Sequence, residues 1–220
     1  MSSPYNSTPT VSVIGCPRND ALRTRPYAPL GAAVWTSSGD LAQRGITAIA
    51  QAATGTMSPF AVQGGEPTRK SVSDSVVNAL ALASQNGRAR LAIPFVASGI
   101  FLTRIMPACT KAELAEIIVK AAQDNDCGVQ PVIVAYGAED FGLFQTAISS
   151  LGATGVELVE GSVTDHALHG CDVIVNAANM EVEFGGGMSG KIGSATGQEA
   201  QINAEARKEL QAFWAANPPG

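Results

Sequence analysis

Two asparagines and a run of glycines carry the clearest chemistry in this chain. Within residues 171–197, CDVIVNAANMEVEFGGGMSGKIGSATG, an apolar strand runs into Asn176 and Asn179, and Gly185-Gly186-Gly187-Met188-Ser189-Gly190 then opens a helix. A carboxamide both donates and accepts hydrogen bonds, which suits it to sugar hydroxyls, although a turn or cap is the plain alternative for an asparagine at a strand end. A glycine loop entering a helix leaves unpaired N–H groups and a dipole that favour an anion such as a diphosphate. The glycines also match GxGxxG, but that dinucleotide fingerprint sits directly after a strand, with an acid about 20 residues on at the end of a second strand. Here residues 176–184 intervene and the pattern beyond is helical to the C-terminus, which argues against a dinucleotide fold.

A second loop of the same kind follows the buried strand RLAIPFV, where Ala97, Ser98, Gly99, Ile100 and Phe101 turn the chain and offer backbone donors. Tyr136, ending QPVIVAY, is either a half-buried packing residue or a ring for a base. Lys191, one turn into the glycine helix, is either a solvated side chain or a partner for phosphate. His166 and His169 read as surface residues. The four cysteines are scattered, with no CxxC pair and no histidine at ligand spacing, so reduced thiols are expected rather than a disulfide or a metal site. No cofactor is implied.

The elements that must position these groups alternate between strand and helix. Strands are expected at residues 10–15, 32–37, 46–52, 90–96, 130–136, 156–161 and 171–178, with a turn at Ser38-Gly39-Asp40 and a long loop over 54–70. Helical spacing runs from Ser71 to the stop at Asn86-Gly87, then from the N-cap Thr110 with Glu113 to about Asp124, then to Gly152. One last helix carries Ala200, Ala204, Leu210, Phe213 and Trp214. RLAIPFV, PVIVAY and DVIVNAA are continuously apolar, as expected where helices cover both faces of a sheet. The expectation is a single domain over residues 1–220, an α/β fold with a three-layer α/β/α sandwich and a mixed sheet. A net charge of −5 and a pI near 5.0 argue against general nucleic-acid binding. The polar start lacks a signal peptide, and the longest apolar run, LAIPFVASGIFL, is too short to span a bilayer, so a cytoplasmic protein without membrane contact is expected.

Four stretches resemble the macrodomains, which bind ADP-ribose and in many members hydrolyse it from its attachments. GSVT resembles the family's Gly-Asp-Ile-Thr, DVIVNAAN…GGGMSG its asparagine-glycine motif, IPFVASGIFL its second loop, and GAAVWTSSGDLAQRGITAIAQAA the strand-turn-strand between those loops. The order differs: in macrodomains the asparagine motif precedes the second loop, whereas here Ser98 comes about eighty residues before Asn176. A circular permutation accounts for this, with GATG bridging the family's last helix to its first strand and the chain opened after the glycine helix. The segment to about Pro29 has no family counterpart and is a candidate added edge strand.

The resemblance implies that Asn176 organises the pocket and Asn179 binds the distal ribose. It further implies that Gly185, Gly186, Gly187 and Met188 line ribose and phosphate, that Ala97, Ser98, Gly99, Ile100 and Phe101 close the other side, and that Tyr136 meets adenine beside Ser162, Val163 and Asp165. Three departures matter. The adenine-binding aspartate is Ser162, with Asp165 as a substitute; the hydrolase aspartate is Ser189 and the later histidine Gly193; the last glycine of the second loop is Leu102. Binding of ADP-ribose, or of an ADP-ribosylated protein, is the leading expectation. A weak ADP-ribosyl hydrolase, with Asn179, Ser189 and Lys191 as its candidates, comes next, and a scaffold with a filled pocket comes third.

Overall fold

Period-two alternation of apolar side chains sorts the strands between two helical layers. The computed structural model describes residues 27–56 and 65–217; the strand expected at residues 10–15, most of the N-terminal extension and the middle of the 54–70 loop lie outside them. The strands are β1 (Ala33–Ser37), β2 (Ala48–Gly55), β3 (Arg90–Pro94), β4 (Gln130–Ala135), β5 (Glu157–Glu160) and β6 (Val173–Asn179). They form one six-stranded sheet in the order β1-β2-β6-β3-β4-β5. β1 runs antiparallel to β2, and every other neighbouring pair is parallel.

The helices are α1 (Arg69–Gln85), α2 (Lys111–Gln123), α3 (Ala138–Leu151), α4 (His166–His169), α5 (Gly187–Thr196) and α6 (Glu199–Ala216). Ala50, Ile93, Ile133, Val173 and Val175 face the layer of α1, α2 and α3. Ile49, Ala92, Val132, Val134 and Ile174 face the opposite layer with Ile192 of α5, and Val34 and Ala53 pack there against Ala206 and Leu210 of α6. The protein is therefore a three-layer α/β/α sandwich with a mixed sheet. Among the described residues no helix is long and apolar enough to cross a membrane.

Local signals placed several helix ends. Thr110 and Glu113 form the expected reciprocal capping box, and hydrogen bonding to the Thr110 backbone, then to Arg69, pulls the Glu113 carboxyl down to about 2. Gly152 closes α3 in the left-handed conformation, φ 61°. Three expectations change. The β1–β2 turn is a 3₁₀ helix, Gly39–Arg44, because Leu41 is drawn into the core. β2 runs on to Gly55 because its pairing with β6 continues to Asn179. The single C-terminal helix is two, broken at Gly197 (φ 62°), whose missing side chain would collide with Asp40.

Candidate functional site

The parallel strands present their C-terminal ends along one sheet edge, where open α/β folds place ligands. Two loops meet there, one leaving β3 and one joining β6 to α5. They enclose a cleft of about 550 Å³, lined on one side by Phe95, Ala97, Ser98, Gly99, Ile100 and Phe101. Ala177, Asn179, Glu183, Gly185, Gly186, Gly187, Met188 and Ser189 line the other.

Each loop is held by its own contacts. In the first, Ala97 is left-handed, φ 61°, and Ser98 closes the turn twice on the Phe95 carbonyl, from its N–H at 3.3 Å and its hydroxyl at 2.8 Å. Both donors of Ser98 are thereby spent, so this residue holds the turn and offers neither to the cleft. Phe95 is anchored against Phe144, ring centroids 4.4 Å apart. In the second loop, Gly185 N–H donates to Ser189 Oγ at 3.2 Å. A side chain on Gly190 would run into the Gly185 carbonyl, so the close loop-to-helix approach requires glycine there. The first turn of α5 leaves its leading N–H groups without intrahelical acceptors.

Beneath the cleft lies a buried polar chain. Asn176, wholly buried, is not on the cleft surface. Its Nδ2 donates to Gln51 Oε1 at 2.7 Å and to Ser189 Oγ at 3.2 Å. Gln51 Nε2 donates to Thr36 Oγ1 at 3.2 Å. Asn176 is thus a positioning residue, and its own Oδ1 is buried with no hydrogen-bond partner among the described residues. Ser189 Oγ accepts from both Asn176 and Gly185, which occupies both lone pairs and leaves its proton to donate. A hydroxyl so committed can donate to a ligand and is poorly placed to act as a nucleophile. Asn179 Oδ1 accepts from Glu183 N–H at 3.1 Å, leaving its NH₂ for the cleft.

The remaining candidates stand apart, toward the β4–β5 end of the edge. Tyr136 is 69% exposed, which rules out half-buried packing. Lys191 Nζ lies 4.7 Å from the centroid of its ring, so that ammonium sits on Tyr136 and outside the cleft lining. Ser162 Oγ pairs with Thr164 Oγ1 at 2.9 Å, Val163 is buried, and Asp165 is exposed at the start of α4. His169 corrects the sequence reading: it is buried, not a surface residue. Cys171 N–H donates to its Nδ1 at 3.1 Å, so Nε2 carries the proton and donates to the Val163 carbonyl at 3.0 Å. Burial pulls His169 below the ordinary 6.5 and pushes the Cys171 thiol up to about 11.

Glu183 escaped the sequence reading, although it stands four residues beyond Asn179 and just before the glycines. Among the described residues it is the one ionisable side chain lining the cleft, and its Oε1 pairs with Arg207 of α6. No three histidines, cysteines or carboxylates come together as a metal site among the described residues. No protein-family model matches the chain, and no curated protein matches it either.

Proposed function

We propose that the cleft binds ADP-ribose or a closely related adenine nucleotide diphosphate, and that the chain is a circularly permuted macrodomain. One observation carries this reading: two loops about eighty residues apart, in the reverse of the family's order, line opposite sides of one cleft at the ends of β3 and β6. Backbone donors from residues 99–101 and from the first turn of α5 would clasp the diphosphate. The Asn179 NH₂ and Ser189 hydroxyl would donate to phosphate or sugar oxygens.

Binding ranks above hydrolysis because Ser189, at the position of the hydrolase acid, has both lone pairs occupied. It ranks above a ligand-free scaffold, whose pocket Leu102, Met188 or Phe184 would fill, because Leu102 and Phe184 pack against the hydrophobic core and Met188 lines a cleft that keeps about 550 Å³ open. Calorimetric titration with ADP-ribose, AMP and NAD tests the reading. Heat with ADP-ribose that Asn179→Ala weakens about tenfold is the expected result; no heat with any of the three would sink it.

A further inference from the structure

The Glu183 carboxylate sits awkwardly in a cleft otherwise built from N–H groups, hydroxyls and apolar side chains. A carboxylate only accepts hydrogen bonds, and beside a diphosphate it repels. Arg207 takes up its Oε1, and the remaining carboxylate oxygen is an acceptor suited to a part of the ligand that is uncharged and rich in donors. Its placement is built in. Val182 adopts the left-handed region at φ 55°, rare for a β-branched residue, while its side chain is buried among Ala28, Ala53 and Leu210. That turn hides Val182 and leaves its neighbour on the cleft. The Glu183 N–H holds Asn179 Oδ1 at 3.1 Å, and Arg207 grips the carboxylate from α6. The turn is tied to the end of β2, with Met180 N–H donating to the Gly55 carbonyl at 2.8 Å. By strand order this is the side of β6 away from β3, β4 and Tyr136.

Resting on the binding reading above, we infer that Glu183 is a specificity-determining residue that accepts hydrogen bonds from the hydroxyls of a sugar attached to the diphosphate. It thereby selects a nucleoside diphosphate that carries a terminal sugar over one that ends in phosphate. The test is calorimetry of the full chain and of Glu183→Gln, a substitution of equal size at a partly exposed position, with ADP-ribose and with ADP. The wild type binds ADP-ribose more tightly than ADP, and E183Q weakens ADP-ribose roughly tenfold, the loss of one charge-assisted bond, while ADP stays within about threefold. Unchanged or tighter ADP-ribose binding by E183Q, with wild-type binding intact, overturns this inference alone. An equal loss for both ligands also overturns it, because Glu183 would then act on the whole cleft. Binding of neither ligand by the wild type overturns the binding reading and this inference together.

Discussion

The two ends of one sheet edge are built differently. At β6, with β2 behind it, buried polar side chains hold up the cleft and leave donors unspent: Asn176, backed by Gln51, supports Ser189, and the Glu183 N–H fixes Asn179. At β4 and β5, the corresponding groups have already found partners in the protein. Ser162 pairs with Thr164, the Val163 carbonyl with His169, and Lys191 with Tyr136. On the proposed function, the difference would concentrate recognition on diphosphate and sugar, because a group engaged within the protein must break that contact before it can bind a base.

The sharpest way to break this contrast is to deform the supported end. Gly190→Ala, which forces the Gly185 carbonyl aside, is expected to lower ADP-ribose affinity by roughly a hundredfold, about 2.8 kcal/mol, read by calorimetry. Asn176→Ala strips partners from buried Gln51 and Ser189. It is expected to cost about 1–3 kcal/mol of stability in a urea melt and to weaken ADP-ribose about tenfold. The opposite end should respond little. Ser162→Ala and Tyr136→Ala each change ADP-ribose affinity by less than about threefold; a tenfold loss at either would place base recognition at β4–β5 after all.

The smallest effect is a pH dependence confined to that second end. His169 has a folded pKa depressed below 6.5, so the unfolded chain binds the proton more readily. Its stabilising contribution is complete above 6.5 and is lost as pH falls from there through the folded value. Melting temperature should drop from about pH 7.5 to about pH 5, and His169→Gln should flatten that slope. A separate acid-range loss comes from Glu113, whose contribution is present above 4.5 and disappears as pH falls through about 2.

Where sequence reading succeeded, the signal was local. Apolar runs marked β3, β4 and β6, Thr110 with Glu113 marked a helix start, and the asparagine-glycine spacing marked one wall of the cleft. Where it erred, a distant contact decided. The C-terminal helix breaks at the left-handed Gly197, where Gln198 Nε2 donates at 3.0 Å to Asp40 Oδ1, about 160 residues earlier. His169 is buried because α4 folds it beneath the Val163 loop, against the tendency of a polar segment to stay outside. Glu183 was passed over because an acid beside glycines has no distinguishing pattern of its own.

The amino-acid order by itself determined the α/β class, the alternation of elements and the two glycine loops, because side-chain period and backbone freedom are properties of neighbouring residues. Only the tertiary structure decided that those loops share one cleft, that Asn176 supports it from below, and that Glu183 rather than Asp165 or Lys191 is the charged group on it. Those outcomes follow from strand order and from packing between residues far apart in the chain, which no local pattern encodes.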